Sequence, residues 1–232
     1  MEFRVENKYI VSDAQLAVIA ARLKTVMRPD INQQGDCYTI RSLYFDDIND
    51  SCMQENEGGV DQRQKYRIRI YDPQGSLIRL EIKEKQRGYT KKYSCELTRQ
   101  EAQMIMDGTL PLAFDARSPL NKLKIQMRCA GMVPKSIVEY RRTAFVHHAG
   151  NVRITFDRNI SASRYCSDFF GNNVRGVTPV LPKGMHVLEV KYDELLPDVI
   201  ASCLEIGGLN QTAFSKYYLG RLALDGQFPV GD

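Results

Sequence analysis

The chain lacks a Cys-x-x-Cys pair, an apolar run of about 20 residues and any low-complexity tract or internal repeat. Its cysteines, Cys37, Cys52, Cys95, Cys129, Cys166 and Cys203, follow no regular spacing. In 232 residues that scatter is no disulfide framework, and free, mostly buried thiols in a reducing compartment are expected. The N-terminus, Met1-Glu2-Phe3-Arg4-Val5-Glu6, has no signal-peptide core. With no candidate membrane span, the chain is expected to be soluble and cytoplasmic. A net charge of +4 is too small to argue for nucleic acid by bulk electrostatics. Any anion site must come from local placement of charge, and no nucleic-acid partner is expected. Hydrophobic content of 43% and charged content of 26% suit one large globular domain, residues 1–232.

Local patterns predict about eight strands, mostly antiparallel, with helices inserted between them. Strands are expected at Phe3–Val11, Tyr38–Phe45, Lys65–Tyr71, Leu77–Lys85, Lys91–Leu97, Ser136–His147, Val152–Asp157 and Val187–Asp193. Asp72-Pro73-Gln74-Gly75 reads as a hairpin turn. Ser12 with Gln15, and Thr98 with Glu101, are capping boxes that open helices ending before Pro29 and near Gly108. The polar segment Asp46–Glu57 is read as a short helix. Ser118-Pro119 starts another helix, and two late ones follow at Pro197–Ile206 and about Phe214–Leu224.

Six strands carry fixed charge on one face: Arg4-x-Glu6-x-Lys8, Arg67-x-Arg69, Glu81-x-Lys83-x-Lys85, Tyr140-x-Arg142, Arg153-x-Thr155-x-Asp157 and Glu189-x-Lys191. Strand side chains alternate with period two, so each set points to one side of its sheet. Apolar residues oppose them: Ile68 and Ile70, Leu80 and Ile82, Leu188 and Val190. Any one such strand is most simply a solvated outer face. Six together point to a shared lumen inside a closed barrel whose apolar outer face is covered by helices. Lys92 joins the set if Tyr93, Cys95 and Leu97 face those helices. The acids Glu6, Glu81, Asp157 and Glu189 are too few to neutralise the cations, and burying unpaired like charges costs several kcal/mol per ion. A phosphate chain fits such a space, because Arg and Lys pair directly with its oxygens. The carboxylates suit a hard divalent ion beside phosphate.

Arg4-x-Glu6-x-Lys8-Tyr9 resembles the first-strand Glu-x-Glu-x-Lys signature of the triphosphate tunnel metalloenzymes, the CYTH superfamily, and Leu43-Tyr44-Phe45-Asp46 resembles its second-strand motif. Tyr66-Arg67-Ile68-Arg69, Leu80-Glu81-Ile82-Lys83, Tyr140-Arg141-Arg142-Thr143-Ala144-Phe145 and Phe214-Ser215-Lys216-Tyr217 resemble the VTC branch, the polyphosphate polymerase modules of vacuolar transporter chaperone complexes. The resemblance spans roughly residues 2–221. It implies an α+β fold, a closed antiparallel eight-stranded tunnel β-barrel with helices outside, that builds polyphosphate from ATP with Mn²⁺ or Mg²⁺. Carried over residue by residue, Lys8, Arg67, Arg69, Lys83, Arg142 and Arg153 match the phosphate-binding cations, and Ser215 and Lys216 the phosphate-contacting pair opening the last helix. Glu189 matches the metal-binding glutamate and Tyr140 the tunnel tyrosine; Lys191 and Lys92 also match. Arg4 and Lys85 join as phosphate-binding cations, and Glu6 and Glu81 as metal ligands. The motif, not local alternation, selects the Tyr140/Arg142 face over Glu139/Arg141.

Arg4 departs from the superfamily signature by replacing its first glutamate. A cation there weakens one metal position and favours holding phosphate, which supports a transferase over a triphosphatase. Two alternatives stay open: a tunnel hydrolase of triphosphate or nucleoside triphosphates, and a non-catalytic polyphosphate-binding module. The partners implied are ATP and polyphosphate, with a separate membrane protein needed if polymer is moved across a bilayer. Other motifs carry less. His147-His148 reads as a strand-end surface pair, and Cys37 and Cys166 lack a motif that would make either a nucleophile. Glu205-Ile206-Gly207-Gly208 stops a helix, since no Lys-Ser/Thr follows in P-loop fashion.

Overall fold

The computed structural model describes residues 5–33, 35–72, 77–87, 89–111 and 113–227. In chain order the elements are β1 (Val5–Ser12), α1 (Asp13–Val26), β2 (Arg28–Pro29), β3 (Tyr38–Asp46), α2 (Ser51–Glu57), β4 (Arg63–Tyr71), β5 (Ile78–Gln86) and β6 (Tyr89–Leu97). There follow α3 (Arg99–Met106), α4 (Ser118–Cys129), β7 (Val133–His147), β8 (Val152–Ser163), β9 (Thr178–Pro179), β10 (Met185–Tyr192), α5 (Asp198–Leu204) and α6 (Lys216–Leu224). Among the described residues, eight full strands and six helices make the fold α+β, as expected. Arg4 and the turn residues 73–76 lie outside the described residues.

The chain forms two compact units, each assembled from three stretches. The first comprises Met1–Thr39, Tyr140–Ile160 and Pro179–Ser215. Here β1 pairs antiparallel with β10, and β10 with β8, in a ladder that continues to the second half of β7. The register sets Glu6 opposite Lys191, Lys8 opposite Glu189, Glu189 opposite Thr155, and Lys191 opposite Arg153. These residues therefore share one face. The other face is apolar. Val11, Ile154, Phe156, Leu188 and Val190 are buried there against Leu16, Ile19 and Leu23 of α1 and Ile200 of α5. Both halves of the capping box at Ser12 and Gln15 are formed, so the turn that ends β1 also starts the helix covering its apolar side. Gly150 makes the β7–β8 turn at φ 69°, and a Cβ there would lie 2.4 Å from the Leu195 carbonyl oxygen, so only glycine fits.

The second unit comprises Ile40–Glu139, Ser161–Thr178 and Lys216–Asp232. The first half of β7 leads to β3, then to the antiparallel meander β4-β5-β6. Ile68, Ile70, Leu80 and Ile82 are almost fully buried on one face. That face takes α4 against β5 and β6, and α2 against β4. Lys122 of α4 binds Glu84 at 2.7 Å and covers the Tyr93 ring at 3.8 Å, sealing the helix onto the sheet. The capping box of Thr98 and Glu101 is formed as well.

The differences from expectation have local causes. Asp46 ends β3 instead of opening a helix. Its carboxylate accepts from the backbone N–H groups of Cys52 and Met53 at 2.9 and 3.0 Å, so α2 begins later, at Ser51. β7 extends back to Val133 and β8 on to Ser163, where pairing outlasts the charged alternation. The last helix starts at Lys216, which leaves Ser215 just ahead of its first turn.

Candidate phosphate-binding site

On the charged face of the first unit, cations and carboxylates nearly balance. Arg142 is buried and gives both oxygens of Asp157 a donor, from Nε at 2.6 Å and Nη2 at 2.7 Å. This is the bidentate geometry guanidinium prefers. Its Nη2 lies 4.0 Å from Glu189, and its guanidinium sits 5.2 Å from the Tyr140 ring centroid. Glu139 and Arg141 take the opposite side of β7, with Glu139 bound to Arg41 and Arg141 to Cys37. Arg142 therefore shares a face with Asp157 and Glu189. Arg153 binds Asp30 at 2.6 Å and donates to the Tyr38 hydroxyl at 3.4 Å. Burial raises the Tyr38 hydroxyl above its ordinary pKa despite Arg142 and Arg153 nearby. Lys8 binds Glu6 at 3.0 Å and donates to the Phe214 carbonyl at 3.0 Å, tying the first strand to the segment that carries Ser215.

Lys191 lies between two carboxylates. Its ammonium is 3.8 Å from Glu6 and in close contact with Glu189. Glu6 and Glu189 thus converge on a position that already holds positive charge. A hard divalent ion needs only one or two carboxylates when substrate phosphates supply further oxygens, so these residues fit such an ion. No group of three His, Cys, Asp or Glu side chains forms a ready-made cage among the described residues.

The second unit is strongly unbalanced. Register places Arg63, Lys65, Arg67, Arg69, Arg79, Lys83, Lys85 and Lys92 on one face of β4-β5-β6, with Glu81 and Glu96 as the acids of those rungs. Glu81 is buried at the centre. Arg67 donates to it at 2.7 Å, Arg69 lies 3.4 Å away, and Lys92 makes a close contact with its other oxygen. Burial works against the Glu81 carboxylate, but the three cations outweigh it and hold its pKa far below the usual carboxylate range. Glu81 anchors cations here, which leaves Glu6 and Glu189 the better-placed metal candidates.

Tyr44 reports the resulting field. Its hydroxyl accepts from Arg67 Nη1 at 3.0 Å, and its ring stacks on Tyr217 at 5.1 Å. Burial should raise its pKa, yet Arg67, Arg69 and Lys216 pull it below that of an ordinary phenol. Tyr217 in turn donates to buried Asp46 at 2.6 Å and accepts from Arg221, which binds Asp50 at 2.9 Å. This chain of contacts fixes the start of α6, hence Lys216, within electrostatic reach of Tyr44.

The structure therefore groups Glu6, Lys8, Tyr140, Arg142, Arg153, Glu189 and Lys191 in one unit. It groups Arg67, Arg69, Glu81, Lys83, Lys85, Lys92 and Lys216 in the other. Arg63 and Lys65 escaped the sequence reading, although Arg63-x-Lys65-x-Arg67-x-Arg69 continues the same alternation. Asp30, the partner of Arg153, sits in a loop with no periodic signal.

An antiparallel α+β protein with two cation-bearing sheet faces is the class that fold and site define. The chain matches the VTC domain over residues 3–224 and belongs to that family. Among solved structures it is similar to a Bacillus halodurans protein provisionally named an adenylate cyclase. The TM-score is 0.54 at 14% identity, covering 92% of this chain and 94% of that one. A Vibrio parahaemolyticus protein, also provisionally named an adenylate cyclase, gives a TM-score of 0.47 at 14% identity, with 98% and 88% covered. A comparison with curated proteins gives no match.

Proposed function

We propose that the chain is a metal-dependent polyphosphate polymerase that transfers the γ-phosphoryl group of ATP onto a growing polyphosphate chain. The observation that carries this reading is the cation excess around Glu81, where Arg67, Arg69 and Lys92 converge on one buried carboxylate while Lys216 adds to the field at Tyr44. A single acid leaves that cluster able to bind several phosphate oxygens. Membership of the VTC family, which includes polyphosphate polymerases, supports the same reading.

Phosphoryl transfer depends mainly on positioning and on charge stabilisation. In this proposal Arg67, Arg69, Lys83 and Lys216 hold phosphate oxygens in one unit, and Lys8, Arg142, Arg153 and Lys191 do so in the other. A terminal oxygen of the polyphosphate attacks the γ-phosphorus; a new P–O–P bond forms, the bond to the β-phosphate oxygen breaks, and ADP leaves. The attacking group is already anionic at neutral pH, so no general base is needed. Mn²⁺ or Mg²⁺, held by Glu189 with Glu6, would neutralise charge on the phosphates. Arg4, Lys85, Lys92, Tyr140 and Ser215 complete the proposed phosphate contacts.

The test is incubation of purified protein with ATP and Mn²⁺ or Mg²⁺, followed by polyanion staining on a gel and assay of released phosphate. Stained polymer with stoichiometric ADP is the expected result. Free phosphate without polymer would replace the proposal with a hydrolase, and polyphosphate binding without turnover would replace it with a binding module. Glu189→Ala should abolish turnover while circular dichroism shows the variant still folded; an unchanged rate refutes the metal role.

A further inference from the structure

Neighbouring strand residues point to opposite sides, yet His147 and His148 do not part in that way. His147 ends β7, and His148 has helical backbone, φ −71° and ψ −41°, so the chain turns between them. Their rings stack, with centroids 4.7 Å apart and planes 27° apart. The pair lines a surface cleft of about 390 Å³ together with Val26, Arg28 and Val146, all within the first unit. The walls are held by the fold. Antiparallel pairing sets Arg28 directly opposite Val146, and Val26, the last residue of α1, packs against the apolar core. His147 Nδ1 lies 3.3 Å from the Ala149 carbonyl oxygen. When that nitrogen carries the proton it donates to the carbonyl, which ties the ring to the turn.

Charge around this cleft is one-sided. Lys8, Arg142, Arg153 and Lys191 of the same unit each have a carboxylate partner. The Arg28 guanidinium has no hydrogen bond or ion pair among the described residues, and Asp30, the acid two residues on, is committed to Arg153 at 2.6 Å. No carboxylate lines the cleft. A single solvated arginine is ordinary on a protein surface. Here it shares one concavity with two imidazoles and no acid. A metal ion is disfavoured, because the guanidinium adds positive charge that no Asp or Glu offsets. An anion is favoured, since guanidinium offers paired N–H groups to phosphate or carboxylate oxygens and protonated imidazole donates as well.

Size and lining narrow the class. A water molecule's share of liquid volume is about 30 Å³, so the cleft has room for about 13 waters. A free phosphate leaves most of that space unfilled. The valine walls and imidazole faces suit an aromatic body, which gains by leaving water. A phosphomonoester carries close to two negative charges at neutral pH, more than a carboxylate, and makes fuller use of a guanidinium beside two imidazoles. We infer that Arg28, His147 and His148 form a binding site for an organic phosphomonoester with an aromatic body, the chemistry of a nucleoside monophosphate. Arg28 holds the phosphoryl group, and Val26, Val146 and an imidazole face take the ring. The site uses none of the residues assigned to phosphoryl transfer and stands independently of the polymerase reading.

The chain has three histidines, so the imidazole signals of its proton NMR spectrum give a direct readout, assigned by His→Gln variants. The third, His186, is buried and bound to Asp13 at 2.8 Å, and it serves as an internal control. AMP titrated into the full chain without divalent metal should shift the His147 and His148 signals saturably and leave His186 in place. Adenosine, benzoate and inorganic phosphate should each bind more weakly than AMP. Arg28→Gln should weaken AMP about tenfold or more, the scale of a charge-assisted hydrogen bond, with Arg28→Lys in between. Signals that stay put at millimolar AMP, or an AMP affinity unaltered in Arg28→Gln, overturn the site. Adenosine, benzoate or inorganic phosphate binding as tightly as AMP overturns the ligand class. AMP binding lost in Lys8→Gln but kept in Arg28→Gln assigns AMP to the phosphate-transfer residues and overturns the site as well. Circular dichroism checks folding; if Arg28→Gln unfolds, His148→Gln, at an exposed position, is judged by the same criteria through the His147 signal.

Discussion

Replacing Glu81 by glutamine should destabilise the fold and at the same time tighten its hold on anions. Glu81 is 3% exposed and shares its two oxygens among Arg67, Arg69 and Lys92. Removing one partner of a buried ion pair costs about 3–5 kcal/mol. Arg67 and Lys92 retain access to water, so the lower end, about 3 kcal/mol, applies. For a chain of this size that corresponds to a fall of roughly 6–12 °C in Tm. The pH dependence has a definite sign. Folding depresses the Glu81 pKa, so its contribution is complete above the unfolded value near 4.5 and is lost as pH falls toward the much lower folded value. The difference between wild type and variant should therefore shrink by about 1.4 kcal/mol per pH unit below that point. Meanwhile the cluster gains one net positive charge, so tripolyphosphate should bind more tightly in the absence of metal. Urea unfolding at pH 7 and pH 3, with a tripolyphosphate titration by calorimetry, measures all three effects. A loss below about 1 kcal/mol at pH 7, or weaker metal-free binding of tripolyphosphate, would refute the assignment of Glu81 as the anchor of these cations.

Three further outcomes follow from the same contacts. Arg41 is buried and donates to Glu139 and to the carbonyls of Phe169 and Gly171, so Arg41→Leu should cost about 3–5 kcal/mol in urea unfolding; a loss under about 1 kcal/mol would count against it. Tyr217→Phe removes the donor to Asp46 and should cost about 1–3 kcal/mol, read as a lower Tm. Tyr44 should ionise below the pH of a free phenol in a spectrophotometric titration, a step absent in Tyr44→Phe and moved upward by tripolyphosphate. Because folding lowers that pKa, its linked stability is complete only above pH 10 and is lost as pH falls. A titration curve unaltered by Tyr44→Phe would refute it.

Strand alternation made much of this legible in advance. Ile68 and Ile70 are buried while Arg67 and Arg69 line the other face, because period two allows nothing else once one face is covered. The capping boxes at Ser12 and Thr98 were readable because their chemistry is complete within four residues. Partners remote in sequence were not. Nothing local links Arg153 to Asp30, Arg41 to the loop at Phe169, or Tyr217 to Asp46, since each pairing depends on strand order. The charge imbalance between the two faces was also hidden. The six motifs looked alike, and only register showed that Glu6, Asp157 and Glu189 gather in one unit while Glu81 stands nearly alone in the other.

The two ladders also differ in how soon their strands can meet. The meander β4-β5-β6 is continuous in sequence, so its pairing can form as soon as those residues have left the ribosome. β1 pairs with β10, and residue 6 finds its partner at 191 only near the end of synthesis. At about 5–20 residues per second, the first strand waits on the order of ten seconds or more, its edge unpaired. In a living cell the cation-rich hairpins would be standing, ready to attract anions, well before the strand that carries Glu6 and Lys8 has anything to pair with. Newly made chains should therefore be most vulnerable to aggregation in that interval, and a chaperone that shields residues 5–12 would serve them best.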